Sequence, residues 1–274
     1  MKEKKSAVNS DSKNLNSGAA FRKKLLFLAA ILLLIMILVL AVRGLVSKDS
    51  KVSPDEGIAY LHSLEAKDVS AIEQEIKQMK KEAQAEALAQ ALEDGSISIW
   101  SQFNDYVIYG DSRTVGFYTY DLLDESRVLA AAGLTIAGIP DYIDQMVMLN
   151  PSCLFLCTGI NDVSIGLWPT PEDYVAAYEE TMQTLTKALP NTEIFVNSIF
   201  PAQDPAFEKS SKWYEIPDYN DALKTWCAEK GYHYIDNTAV FEAHKDLYDI
   251  DGIHFQKAFY QYWATNMLIE AAKQ

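Results

Sequence analysis

Residues 25–42 form an unbroken run of 18 apolar residues between Lys24 and Arg43. As a helix this run reaches about 27 Å, close to the ~30 Å hydrocarbon core of a bilayer. A helix on a small core needs one apolar stripe, whereas this run is apolar on every face. The sequence therefore predicts a transmembrane helix over 25–42. A cleaved signal peptide is the alternative, but the run is long for its apolar part and no small-x-small cleavage site follows. Lys2, Lys4, Lys5, Lys13, Arg22, Lys23 and Lys24 precede the run, and only Arg43, Lys48 and Lys51 follow it closely. Cytoplasmic flanks carry the Lys/Arg excess. The expectation is a single-pass protein of the cell membrane, N-terminus cytoplasmic and C-terminal bulk extracytoplasmic.

Charge divides the chain at the same place. Residues 1–43 carry eight Lys/Arg and two acids, and residues 44–274 carry 16 Lys/Arg and 36 acids. So acidic a bulk repels phosphate backbones, which excludes nucleic acid as a partner. Three cysteines, Cys153, Cys157 and Cys227, are too few for a disulfide scaffold and read as buried thiols.

Residues 1–24 read as a disordered cytoplasmic tail and 43–99 as an extracytoplasmic helical stalk or linker. Ser53-Pro54 marks a helix start, and 55–94 is expected as one helix ended by Asp94-Gly95. Val69, Ile72, Ile76, Met79 and Ala83 recur at alternating spacings of three and four, giving one apolar stripe. The stripe lasts two heptads before Glu86 and Gln90 interrupt it. A helix that packs on the domain or stands as a stalk explains it, and a stalk-mediated coiled-coil dimer stays open.

From about residue 100 strands and helices alternate. Strands are expected at 106–109, 128–132, 153–157, 193–198 and 232–235, and helices at 171–189, 219–230 and 255–272. The strands are apolar on both faces, the mark of a parallel sheet covered on two sides. In such sheets working groups lie past the C-terminal strand ends. Ser112, Gly133, Asn161 and Asp162 follow the first three strands, and Asp251 and His254 precede the last helix. A serine hydroxyl needs a base to become a nucleophile. His254, with Asp251 three residues before it to hold the imidazole, is the candidate base. Free helical amides are expected behind Ser112 if it stands at a strand-to-helix junction. Trp168, Trp213, Tyr214 and Trp226 read as core, rim or sugar-stacking side chains, and the loop 200–217 as a pocket wall.

Three sequence blocks carry a resemblance. Gly110-Asp111-Ser112, Gly159-Ile160-Asn161-Asp162 and Asp251-Gly252-Ile253-His254 occur in the order and settings that mark the SGNH/GDSL hydrolases, and residues 100–274 resemble that family. The resemblance implies a flavodoxin-like three-layer α/β/α sandwich with a five-stranded parallel sheet. It implies Ser112 as nucleophile, His254 as base, Asp251 as the residue orienting it, and the Asn161 side chain as an oxyanion donor. A backbone N–H from the second block completes the oxyanion hole, supplied by Gly133 or by Gly138. Arg113 departs from the Leu of the name-giving motif. It either binds an anionic group of the substrate or pairs with a nearby acid. No metal and no cofactor is implied. The expected activity is that of an esterase or deacylase on acyl esters at the cell surface, with O-acyl groups of a wall or exported glycan, peptidoglycan or lipid esters as substrates. An O-acyltransferase using the same acyl-enzyme, and a non-catalytic tethered binding or scaffold protein, are the alternatives.

Overall fold

The computed structural model describes residues 33, 34, 36, 37, 54–65 and 69–274. The predicted tail and membrane span lie outside these residues, except for Leu33, Leu34, Met36 and Ile37, which are helical and exposed. Among the described residues no helix is long and apolar enough to cross a membrane.

Where one helix was expected over 55–94 there are two. Helix α1, Pro54–Glu65, opens on its proline. Helix α2, Ser70–Glu93, starts afresh after the non-helical Val69. Ser70 with Glu73 three residues on has the pattern of a capping box, a start signal inside the expected helix. Ser70–Gln274 forms one compact unit. Within it α2 lies against the C-terminal helix and buries Ala85 and Leu92. Val69, Ile72, Ile76 and Met79 stay exposed. At 3.6 residues per turn they lie roughly half a turn from Ala85 and Leu92, so the stripe is not the face that packs on the domain.

Five strands form one parallel sheet in the order β2-β1-β3-β4-β5. They are β1 Tyr106–Gly110, β2 Val128–Ala130, β3 Cys153–Cys157, β4 Glu193–Asn197 and β5 His233–Ile235. The five expected strands are all present; β3 has the expected bounds, and each of the others is shifted at one end by one or two residues. Strand residues alternate between two cores, as a pleat requires. Val107, Tyr109, Leu154, Leu156, Ile194 and Val196 face one, and Tyr106, Ile108, Phe155, Cys157 and Phe195 face the other.

Five short and medium helices fill the connections before the last strand: α3 Gly116–Thr119, α4 Ile143–Leu149, α5 Ile160–Ile165, α6 Pro171–Ala188 and α7 Ile216–Lys230. Two follow it, α8 Thr238–Ala243 and α9 Phe259–Ala272. The first core is covered by α6, through Tyr174, Tyr178, Met182 and Leu185, and by α7, through Tyr219, Leu223 and Trp226. The second is covered by α9, through Phe259, Trp263 and Met267. The three layers match the expected sandwich. Helix α6 is capped by Thr170, whose hydroxyl accepts from the Asp173 amide at 3.2 Å. Helix α7 begins before the expected 219 because Pro217 fits the first turn.

The last helix begins at Phe259 rather than 255. Phe255 fits the apolar period, but its backbone bridges to Tyr248. The Gln256 amide donates to the Leu247 carbonyl at 2.9 Å, and the Asp249 amide to the His254 carbonyl at 2.8 Å. These bonds close a small antiparallel loop that carries Asp251 and His254.

Candidate active site

β1 ends in Gly110, where a Cβ would overlap the Thr114 side chain. Only glycine allows the chain to turn so tightly there. The turn is closed by the Thr114 amide donating to the Asp111 carbonyl at 2.9 Å and the Arg113 amide to Asp111 Oδ1 at 3.0 Å. Ser112 stands half-buried at its apex. Helix α3 starts at Gly116 and spans four residues, so the expected helical amides give way to Ser112's own N–H.

Ser112 Oγ lies 2.9 Å from His254 Nε2, and His254 Nδ1 lies 2.6 Å from Asp251 Oδ2. The other carboxylate oxygen of Asp251 accepts the Ile253 and His254 amides at 2.9 and 3.0 Å. Partial burial raises the Asp251 pKa, but hydrogen bonds from the His254 backbone and ring and from Ile253 outweigh it and hold the carboxyl at about 2. Asp251 is thus an acceptor only, which fixes the imidazole proton on Nδ1 and leaves Nε2 free to accept from Ser112. The structure brings together Ser112, His254 and Asp251 from two loops separated by 142 residues.

Asn161 is the second residue of α5, which starts at Ile160 right after Gly159. Its Nδ2 donates one proton to the Leu134 carbonyl at 3.0 Å, and the second meets no acceptor among the described residues. Gly133 has a φ of +82° with open space where a Cβ would point. Its amide has no backbone acceptor among the described residues, whereas the Gly138 amide is spent on the Thr135 carbonyl at 3.1 Å. Of the two glycines, Gly133 is the one with an N–H to offer. Its loop is held at three points: Asn161 to Leu134, Tyr109 Oη donating to the Thr135 carbonyl at 2.9 Å, and the Ile136 amide donating to Asp162 Oδ1 at 2.9 Å.

Asp162 is fully buried, and desolvation is the main cause of its pKa rising to about 7. Between about 4, where the unfolded chain releases this proton, and 7, where the native state does, the folded protein binds more protons. Wild-type stability through Asp162 therefore falls with rising pH across that window and levels off above it. Asp162→Asn keeps an acceptor for Ile136 and cannot ionise, so it should gain on the wild type between pH 5 and pH 8. Urea denaturation at both values measures the gap. An equal gap would mean that native Asp162 is already ionised at pH 5.

Arg113 is 3% exposed. Its Nη1 donates to the Phe200 carbonyl at 2.8 Å, its Nε lies 3.5 Å from Asp111, and its guanidinium lies 5.7 Å from the centre of the Phe255 ring. The substrate-binding expectation is corrected accordingly: the head group is consumed by internal partners, and the acid it meets is the fully buried Asp111. Arg113→Leu strands that carboxylate and should destabilise the fold by about 3 kcal/mol. Adding Asp111→Asn should recover much of the loss in a denaturant titration. No recovery would show that the pair is uncoupled.

The 200–217 segment is tied both to the loop that carries Asp251 and His254 and to helix α5. The Gln203 amide donates to the Gly252 carbonyl at 2.8 Å, and Trp213 Nε1 to the Ile160 carbonyl at 2.7 Å. Trp213 and Trp226 are core residues, Tyr214 is exposed and stacked on Phe207, and Trp168 is half-buried at the surface. Among the described residues no cluster of His, Cys, Asp or Glu could hold a metal ion.

In structural comparison the chain matches a GDSL-like lipase from Parabacteroides merdae at 19% identity and a TM-score of 0.51, covering 61% of this chain and 95% of that one. It matches the lipase/acylhydrolase from Enterococcus faecalis at 15% identity and a TM-score of 0.51, covering 62% and 96%. Such likenesses speak for the fold alone. A comparison with curated protein sequences gives no match. The model of the GDSL-like lipase/acylhydrolase family matches residues 100–262, more than half of the chain, and takes in Ser112, Gly133, Asn161, Asp251 and His254; the chain belongs to that family and is an ester hydrolase.

Proposed function

We propose that the protein is a serine esterase, anchored by residues 25–42 with its domain outside the cytoplasmic membrane, that removes O-acyl groups from a wall or exported glycan. The observation that carries the catalytic part is the unbroken hydrogen-bonded line from Ser112 through His254 to Asp251. A tethered binding or scaffold protein has no need of such a line.

In this reading His254 Nε2 takes the Ser112 proton as Oγ attacks the ester carbonyl. Asp251 holds the resulting imidazolium. The negative charge that develops on the carbonyl oxygen is met by the Ser112 and Gly133 amides and the free Asn161 N–H. His254 then returns its proton to the leaving alcohol, and Ser112 keeps the acyl group. Water, deprotonated by His254, releases the acid and restores Ser112.

The location rests on the sequence, through the apolar run and the basic N-terminal flank, and the glycan is proposed because it is an acylated material at that location. Two measurements test the proposal. Protease added to spheroplasts should digest the C-terminal domain and spare the N-terminal tail; a protected C-terminal tag would refute the topology. The purified protein should release acetate from O-acetylated glycan in water. Acyl transfer to an added sugar faster than release into water would make it a transferase.

A further inference from the structure

A groove runs beside the candidate active site without including Ser112 or His254. It consists of two contiguous depressions of about 280 and 340 Å³ that share Trp168, Ala177 and Glu180. Together they reach the lower range of small-molecule sites. Each wall continues an element of the proposed oxyanion hole. One wall begins at Ile136, three residues beyond Gly133 and so within about 11 Å of it along the chain. The other begins at Leu167 and Trp168, just past α5, whose first turn carries Asn161.

The lining has a consistent chemistry. Trp168 supplies an indole, and Ala177 leaves room beside it. Glu180 is exposed and can only accept hydrogen bonds. The Thr181 and Thr184 hydroxyls donate to the helix carbonyls of Ala177 and Glu180 at 2.8 and 3.0 Å, so outward they too offer lone pairs. No Lys, Arg or His lines either depression. Acceptors without a cation repel anions and suit a ligand rich in hydroxyl donors. A single indole, rather than a cage of rings, suits the flat apolar face of a sugar ring better than a cationic head group.

We infer that this groove is a subsite for a neutral sugar residue of the acylated glycan, next to the one whose ester is cleaved. The inference rests on the esterase reading above and adds the residues that select a polymer over a small ester. Trp168→Ala in the full chain should raise KM about tenfold for chemically O-acetylated chitotetraose and leave kcat/KM for 4-nitrophenyl acetate unchanged. Glu180→Gln should act in the same direction, and Trp168→Phe should keep most of the affinity. Chitotetraose titrated into the full-length Ser112→Ala variant should change tryptophan fluorescence, and Trp168→Ala should abolish the change. Equal losses on both esters, or no binding of chitotetraose, would overturn the subsite while leaving the esterase reading intact. Failure to cleave 4-nitrophenyl acetate would strike the esterase reading, and the binding titration would still decide the subsite.

Discussion

Ser112→Ala should give a folded protein that takes up no fluorophosphonate and hydrolyses esters several powers of ten more slowly than the wild type. His254→Ala should slow both labelling and turnover to a similar degree, because a neutral serine hydroxyl at 2.9 Å from nothing basic does not form an alkoxide at neutral pH. The two losses should not add. Once the nucleophile is gone the base has nothing to deprotonate, so the double variant should match the worse single one. Additive losses would mean that the two side chains act in separate steps. Wild-type turnover by folded Ser112→Ala would move the chemistry elsewhere in the domain. Asp251→Asn belongs to the same series. It keeps the shape but can present an N–H to His254 Nδ1, which favours the wrong tautomer, so it should also lose activity while still folding.

Much of this arrangement could be read from the residues because it depends on local pattern. The central strands β1, β3 and β4 stand out because they are buried on both faces, and the polar residues after the strands mark the sheet edge where chemistry gathers. Asp251 and His254 lie three residues apart, so their pairing is local. What stayed hidden depends on contacts between distant segments. Phe255 has the spacing of a helix residue, yet its backbone answers to Tyr248. Arg113 is a surface residue by type, and only the fold shows that it is buried between Asp111 and the Phe200 carbonyl. That the Gly138 amide is already engaged with the Thr135 carbonyl is likewise a contact only the fold reveals. Asp162 reads as a loop acid next to Asn161, and nothing in the sequence says that it holds the Ile136 amide. A buried carboxyl beside a Gly-x-Asn-Asp block could have been suspected only from its apolar neighbours, Ile160 and Val163.

The role proposed for Asn161 rests on the same loop. Its side chain has two N–H bonds, and one is fixed on the Leu134 carbonyl. In the proposed mechanism that bond orients the amide, so the donor would need little reorganisation when charge develops. Asn161→Ala should lower kcat by about 10²–10³ and change KM little, since the donor matters most when the carbonyl oxygen becomes an oxyanion. The substitution also cuts one of three ties on the Gly133 loop, and that contribution has to be separated. Tyr109→Phe removes the tie to Thr135 and no donor. If loop position were the whole effect, Tyr109→Phe would cost about as much as Asn161→Ala; if the donor is what counts, it should cost less than tenfold. Gly133→Ala offers the complementary control. It keeps the backbone N–H and meets open space, so its cost is the positive φ of +82°, about 1 kcal/mol of stability rather than of transition-state binding. A folded Asn161→Ala variant with near wild-type kcat would leave Ser112 and Gly133 as the only donors and remove Asn161 from the oxyanion hole.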